Sequence, residues 1–177
     1  MARLPLPTRD SLPKEQQERW DRTVAAGPML DIQRLFFVNP DIRLNALAVW
    51  RATGLSPRAR EIVILRAAFR KESRYEWHQH VRISRDAGLR DDEINAVTNW
   101  QPSTLFSDDE RALLAYVDEL ADHQRASDES FTAISRGRPA PEIFAITYLI
   151  TLYFQLAQVM ATMDLQPETE FVGWELK

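Results

Sequence analysis

Apolar residues recur at helical spacing along most of this chain, and residues that start or stop helices bound each apolar stretch. No window alternates cleanly between apolar and polar positions with strand-forming residues, as a half-buried β-strand would. The pattern therefore predicts an all-α fold. Helices are expected over approximately residues 14–25, 41–53, 58–70, 73–87, 91–99, 108–123, 128–135 and 141–164.

Several of these boundaries carry recognisable cap residues. Asn39-Pro40 and Ser56-Pro57 each place a capping side chain immediately before a proline, which is favoured in the first turn of a helix. Gly88 follows the helix predicted over 73–87, at a position where glycine commonly ends a helix. Helices are therefore expected to start directly after Asn39-Pro40 and Ser56-Pro57.

The last predicted helix is the most apolar part of the chain. Ile143 to Met163 contains 21 residues without a charged side chain, which meets the length rule for a membrane span. Five uncharged polar residues nevertheless lie within about 80° of one another on a helical wheel. They are Thr147, Thr151, Gln155, Gln158 and Thr162. A polar stripe of this kind predicts a helix buried by its own domain or by other subunits, and not a membrane span.

Length and composition narrow the possible functions. A chain of 177 residues can form one domain with a substantial core and no disulfide or metal staple. The net charge of −4 offers no footprint for nucleic acid or an anionic membrane, so a small-molecule partner is expected. Cysteine is absent, which excludes thiolate nucleophiles and redox disulfides. The N-terminal residues lack a signal-peptide pattern, so a cytoplasmic location is expected.

One stretch, SRYEWHQHV at residues 73–81, concentrates reactive side chains. On a helical wheel Glu76 and His80 share a face with apolar residues, whereas the opposite face, with Tyr75 and His78, is expected to face water. Two metal ligands on one helix normally sit four residues apart, but the two histidines are two apart and about 160° from each other. No metal site is therefore predicted.

Glu76 and His80, at positions i and i+4, allow two interpretations. Burial and hydrogen bonding can place their proton affinities near neutrality, as an acid/base pair requires. The same pair can equally be a buried contact that holds two helices together. Glu61, on the preceding helix, also points inward, either as a second catalytic carboxylate or as the partner of a buried Arg60.

The sequence from Leu55 to Ile94 resembles the carboxymuconolactone decarboxylase and alkylhydroperoxidase-like superfamily. The peroxidase branch of that superfamily has a glutamate, then eleven residues, then CxxCxxxH. In this chain Glu61 stands at the glutamate position, Ser73 and Glu76 replace the cysteines, and His80 is the histidine. The resemblance implies a single alkylhydroperoxidase-like helical bundle that assembles as a homo-oligomer, either a trimer or a hexamer.

The resemblance also implies a reaction class. Without thiols, the chain is similar to the decarboxylase branch, where a cofactor-free pocket protonates a carbon as carbon dioxide leaves. We therefore expect His80 to be the general acid/base, Glu76 to hold its tautomer, and Glu61 to be a second base. Two alternatives remain: a non-catalytic ligand-binding or scaffold protein, and a residual hydroperoxide activity that does not depend on thiols.

Further residues are expected to shape the pocket around this motif. Arg58 or Arg60, near a helix N-terminus, would bind a substrate carboxylate. Apolar walls and polar contacts are expected from the motif helix and the last helix. The residues concerned are Ser73, Trp77, Gln155 and Gln158. The tail from Gln166 to Lys177, with Phe171 and Trp174, is expected to pack onto a neighbouring subunit.

Overall fold

The computed structural model describes residues 2–39, 41–43 and 45–176, which contain helices and no β-strand. After a 3₁₀ turn at Arg9–Ser11, the α-helices are α1 Lys14–Ala26, α2 Asp31–Leu35, α3 Ala46–Ala52, α4 Pro57–Arg70, α5 Arg74–Asp86, α6 Asp91–Thr98, α7 Asp108–Asp122, α8 Asp128–Ser135 and α9 Ala140–Thr162. The predicted all-α class is confirmed. From α4 onwards, the boundaries agree with the sequence pattern to within two residues.

The cap residues explain why α4 and α5 begin and end where they do. The Ser56 side chain accepts a hydrogen bond from the Ala59 amide at 3.2 Å, and Pro57 occupies the first helical position of α4. Gly88 follows α5 with a φ of +90°, a conformation that glycine adopts without the steric cost other residues incur. These two helices carry the reactive motif.

The largest error in the predicted helices concerns α3. Asn45 is its N-cap and accepts a hydrogen bond from the Ala48 amide at 3.3 Å, so the helix begins at Ala46 and not near Asp41. Asn39 instead accepts a hydrogen bond from the amide of Asp41 at 3.1 Å, which closes a local turn. The proline predicted to start this helix, Pro40, lies outside the described residues.

Helix α4 lies at the centre of the fold and is buried on two sides. Val63, Ile64 and Ala67 pack with residues of α7, α8 and α9. The alternate positions of α4, including Ile62 and Leu65, pack against α5, α6 and the segment that follows α6. Because both faces lose their contact with water, the burial of α4 is a major source of stability at about 25 cal/mol per Å² of apolar surface.

Helix α9 packs against the rest of the domain along one face only. Leu149, Ile150 and Tyr153 are buried in contact with α4 and α7. This helix is long and apolar enough to cross a membrane, yet 44% of its most apolar window is buried inside the protein. The predicted polar stripe lies on the outer face, where Phe144 and Tyr148 are 71% and 49% exposed. Its own domain therefore buries one face of α9, and burial of the outer face by other subunits stays a prediction.

The C-terminal tail folds back onto its own chain. Phe171 and Trp174 join a cluster with Phe69 and Trp77, and the ring centroids of Trp77 and Trp174 are 5.2 Å apart. The two tail aromatics are thus used within the molecule. The prediction that they would pack onto a neighbouring subunit is wrong for these side chains, because Phe69 of α4 and Trp77 of α5 offer them an apolar surface nearer at hand.

Candidate functional site

The central contact of the candidate site joins α4 to α5. His80 Nδ1 lies 2.6 Å from Glu61 Oε2, and the two residues are 7% and 0% exposed. Both side chains were expected to point inward, and they do. The partner of His80, however, is Glu61 and not Glu76. Packing of α4 against α5 brings Glu61 to the imidazole, whereas i and i+4 positions share a helical face without having to touch.

This contact determines which ring nitrogen of His80 is free. Glu61 is ionised in the pair, and an ionised carboxylate can only accept hydrogen bonds, so Nδ1 of His80 carries the hydrogen. Nε2 remains as the nitrogen that can take up a proton from another molecule. The Glu61 carboxylate is therefore placed to hold the tautomer of His80, a role that was expected of Glu76.

The second oxygen of Glu61 is also occupied. Arg60 Nε donates to Glu61 Oε1 at 2.9 Å, and the Arg60 guanidinium lies 4.5 Å from the centre of the Trp50 ring. Burial acts to raise the pKa of Glu61, but the hydrogen bonds from His80 and Arg60, with the positive charge of Arg60, outweigh it and lower the pKa. Glu61 is therefore a buried, ionised carboxylate.

Glu76 is the opposite case. Only 4% of this residue is exposed, and neither carboxylate oxygen has a hydrogen-bond partner. Burial raises the pKa of Glu76 well above its usual range, and the Ser73 hydroxyl, near but outside hydrogen-bonding geometry, opposes this only in part. Burial therefore favours the protonated form of Glu76.

Tyr153 of α9 completes the cluster and was missed by the sequence analysis. Its ring meets the His80 ring edge-on with centroids 5.2 Å apart, and its hydroxyl accepts a hydrogen bond from Trp50 Nε1 at 3.2 Å. Burial, with the negative charge of Glu61, raises the pKa of Tyr153. A buried tyrosine on the inner face of an otherwise apolar helix was the available signal.

The two predicted anion-binding arginines lie in different places. Arg60 belongs to the site, through Glu61. Arg58 points elsewhere, with Nη2 2.8 Å from Glu93 Oε1 and Nε 2.7 Å from Glu110 Oε1. Two carboxylates thus occupy the Arg58 guanidinium, and these contacts tie α4 to α6 and α7, so Arg60 is the arginine of the predicted pair that lies at the site.

The other predicted pocket residues are spread around the site. Trp77 is completely buried against Phe69 and Trp174, and its Nε1 donates to the Gly173 carbonyl at 2.9 Å. Gln155 and Gln158 lie on the exposed outer face of α9, away from the cluster. Their contact with a substrate stays a prediction, and the inner face of α9 presents Tyr153 to the cluster.

Ser73 remains close to the cluster. It is the buried N-cap residue of α5 and lines a pocket of about 180 Å³ between the start of α5 and the end of α9. The pocket also touches Ala157, and so lies one helical turn from both Glu76 and Tyr153.

The histidines do not come together. His80 binds Glu61, whereas His78 is engaged by the C-terminal tail. Across residues 2–39, 41–43 and 45–176, no three histidine, aspartate or glutamate side chains are grouped so as to hold a metal ion. The chemistry available from this cluster is proton transfer, with Nε2 of His80 as acceptor and Glu76 as donor.

Part of this chain matches a known protein family, and its fold is similar to solved structures. The model of the carboxymuconolactone decarboxylase family matches residues 41–119. A protein of unknown function from Agrobacterium tumefaciens, described as a putative antioxidant defence protein, is similar at 25% identity and a TM-score of 0.68, covering 77% of this chain and 97% of its own. No curated protein sequence matches this chain.

Two further solved structures share the fold at 16% identity. An uncharacterised peroxidase-related protein from Silicibacter sp. TM1040 has a TM-score of 0.80, covering 97% of this chain and 94% of its own. A variant of the debrominase Bmp8 in complex with 2,3,4-tribromopyrrole has a TM-score of 0.73, covering 96% and 95%. The resemblance to the carboxymuconolactone decarboxylase and alkylhydroperoxidase-like superfamily is thus confirmed, through the family match over residues 41–119 and the shared fold, in a chain without cysteine.

Proposed function

We propose that this protein is a cofactor-independent enzyme of the carboxymuconolactone decarboxylase type, acting on small molecules by proton transfer. The observation that carries the proposal is that two carboxyl groups of opposite character lie in one cluster. Glu61 is ionised and contacts His80, whereas Glu76 is a buried acid without a hydrogen-bond partner. An unpaired buried carboxyl group is costly, and such groups concentrate at functional sites. The debrominase similar in fold is a small-molecule enzyme on the same scaffold.

His80 supplies the base. Its Nε2 takes a proton from the substrate, and the Glu61 carboxylate at Nδ1 stabilises the imidazolium that forms. Arg60 keeps Glu61 ionised while the proton is transferred. A positioned group of this kind contributes about 10²–10⁴-fold to the rate.

Glu76 supplies the acid. In a decarboxylation, the bond to the leaving carboxylate breaks and its electron pair passes to the adjacent carbon, which takes the Glu76 proton as carbon dioxide leaves. The Glu76 carboxylate is then reprotonated from water. In an isomerisation, the proton removed by His80 and the proton delivered by Glu76 balance each other. Both reactions suit a small organic acid or lactone, and neither needs a thiol or a cofactor.

The substrate would enter through the pocket lined by Ser73 and Ala157, with Tyr153 as its inner wall. Arg60, whose side chain is mostly buried beside Trp50, is the cation nearest to the pair and would attract an acidic substrate. Residual hydroperoxide reduction is disfavoured because the chain has no thiol to be oxidised.

The alternative function is a ligand-binding or scaffold protein. One observation favours it: Glu61, Glu76 and His80 are only 0%, 4% and 7% exposed, so the cluster is enclosed in a single chain. This interpretation treats the Glu61–His80 contact as a buried pair that holds α4 to α5. It predicts that removing the contact lowers stability and changes no reaction.

We further propose that the protein is a cytoplasmic homo-oligomer, a trimer or a hexamer. The support is the outer face of α9 and the adjoining α3, where Phe144, Tyr148 and Leu47 are exposed and lie among other apolar side chains. Such a surface is more extensive than the isolated apolar residues of a typical monomer. Sedimentation equilibrium of the wild type and of Phe144→Glu would test this, since a monomeric wild type contradicts it.

The proposed reaction is tested with a panel of small organic acids and lactones, following loss of substrate and release of carbon dioxide. The wild type is compared with His80→Gln and with His123→Gln, a control at the exposed histidine after α7. We expect turnover by the wild type and control and a loss of about 10²–10⁴-fold in His80→Gln. Equal turnover by all three proteins would refute the assignment.

A further inference from the structure

The C-terminal segment, residues 168–176, lies along the outer face of α5. Glu168 accepts hydrogen bonds from the Tyr75 hydroxyl and from the Gln79 amide, the latter at 2.6 Å. Five residues further on, the Gly173 carbonyl accepts from Trp77 Nε1 at 2.9 Å. This face was expected to meet water, because its side chains are polar. Instead they bind the segment, which we call the clasp.

The far end of the clasp is tied to α6. Leu176 donates its amide to Asn95 Oδ1 at 2.7 Å, and its carbonyl accepts from Asn95 Nδ2 at 3.1 Å. Between the two ends, Phe171 lies beneath the Arg74 guanidinium, 4.4 Å from the ring centre. The clasp thus holds α5, the helix that carries Glu76 and His80, through contacts with residues 74–79 of that helix.

His78 is at the middle of this contact. Its Nδ1 accepts the backbone N–H of Val172 at 3.0 Å, and its Nε2 lies 2.9 Å from the Thr169 hydroxyl. A ring nitrogen that accepts an N–H carries no hydrogen, so the ring is neutral and its hydrogen is on Nε2, which donates to Thr169. The contact therefore exists in one protonation state only.

Protonation of His78 removes this contact. The new hydrogen on Nδ1 would point at the N–H of Val172, so two donors would face each other in place of a donor and an acceptor. We propose that His78 is a pH-sensitive fastener of the clasp, so that acidification releases residues 169–172 from α5 and loosens the helix that positions Glu76 and His80. The part of this statement that concerns catalysis rests on the proposed function.

The charges around His78 determine in which direction pH acts. Burial lowers the pKa of His78, and the negative charge of Glu168 on the clasp opposes this in part. Arg74, the cation closest to the clasp aromatics, also disfavours a second positive charge nearby. Because the folded state prefers the neutral ring, the clasp is stable above the unfolded pKa of about 6.5 and weakens as pH falls through the lower folded value.

Hydrogen–deuterium exchange of the full-length protein tests the proposal. The protection of a C-terminal peptide spanning residues 167–177 is measured at pH 8 and pH 5, after correction for the intrinsic exchange rate. A peptide from α7 serves as the control for global unfolding. We expect clasp protection to fall on the order of tenfold at pH 5 while α7 stays protected. Unchanged clasp protection between the two pH values would overturn the proposal.

A matched substitution assigns the effect to His78. His78→Asn keeps an acceptor in place of Nδ1 but cannot be protonated, so its clasp should remain protected at pH 5. His123→Asn, at an exposed histidine, should behave as the wild type. If His78→Asn loses protection at pH 5 as the wild type does, another group is responsible and the proposal fails.

Histidine ¹⁵N spectra of the wild-type protein provide a test that requires no variant. At pH 8 the His78 ring should carry its hydrogen on Nε2, and finding it on Nδ1 would overturn the proposal. These experiments need no substrate. A clasp that opens in a protein without turnover contradicts the proposed enzyme alone, whereas turnover with a pH-insensitive clasp contradicts this inference alone.

Discussion

The acidic centres around Asp118 and around Glu61 and Glu76 both lie against α4, and they differ in how well they are neutralised. Asp118 of α7 accepts from Arg66 at both oxygens, at 2.7 and 2.9 Å, and from Arg70 and Trp100 Nε1 at 2.7 and 2.9 Å. Burial acts to raise the pKa of Asp118, but these donors, led by Arg66, lower it. Both carboxylate oxygens of Asp118 therefore accept hydrogen bonds from other side chains of the protein.

The second centre contains Glu61, Glu76 and His80, and it is incomplete. Glu61 is matched by His80 and Arg60, but Glu76 has no partner at either oxygen. A saturated network stabilises the fold and leaves nothing to bind a ligand. An unsaturated one lowers stability, and it leaves a proton and an acceptor available to a ligand. The contrast between the centres therefore separates a structural site from a candidate active site.

The largest expected effect is on the saturated centre. Asp118→Ala would leave Arg66 buried without its carboxylate, at a cost of about 3–5 kcal/mol in the free energy of unfolding. Denaturant unfolding followed by circular dichroism measures this loss. The activity per folded molecule should be unchanged, and a change in activity without a loss of stability would remove the distinction between the centres.

His80→Gln should have a large effect of a different kind. The amide removes the titratable nitrogen, so kcat is expected to fall about 10²–10⁴-fold on any substrate found. The Tm should change far less than in Asp118→Ala, because a polar side chain of similar reach can still contact Glu61. A variant that unfolds but retains its activity would favour the scaffold function.

Glu76→Gln should alter stability in a pH-dependent way. The pKa of Glu76 is raised in the folded state, so wild-type stability is greatest below the unfolded pKa of about 4.3 and declines as pH rises towards the folded value. The amide cannot ionise, so the Tm of the variant relative to wild type should increase from pH 5 to pH 8. Each kcal/mol is worth about 2–4 °C in a domain of this size. A constant Tm difference across this range would show that Glu76 does not titrate as expected.

The smallest expected effect comes from Tyr153→Phe. The hydroxyl is lost while the ring stays against His80, which leaves the Trp50 indole N–H without its acceptor, at about 0.5–1.5 kcal/mol. Tyr148→Phe is the matched control, since Tyr148 lies on the exposed face of α9 and should change nothing. Thermal unfolding of both variants measures this loss. Equal Tm values for Tyr153→Phe and Tyr148→Phe would show that the contact between Trp50 and Tyr153 is not made.

The sequence by itself determined the helical class and most helix ends. Local signals were sufficient because caps act within one turn: the Ser56 side chain and Pro57 define the start of α4, and Gly88 follows the end of α5. The spacing of Glu61 and the 73–80 motif also indicated the resemblance to the superfamily, and the family match over residues 41–119 agrees with it. The short α2 and the late start of α3 escaped prediction, because five to seven residues carry little periodicity.

Tertiary structure alone decided which inward side chains meet. A helical wheel placed Glu76 and His80 on one face, yet the approach of α4 gave His80 to Glu61 and left Glu76 unpaired. A wheel also treats a polar face as wet, and could not foresee that the clasp would cover His78. Periodicity reports the direction of a side chain on its own helix. Its partner depends on contacts between residues far apart in sequence, which only the packing of the whole chain establishes.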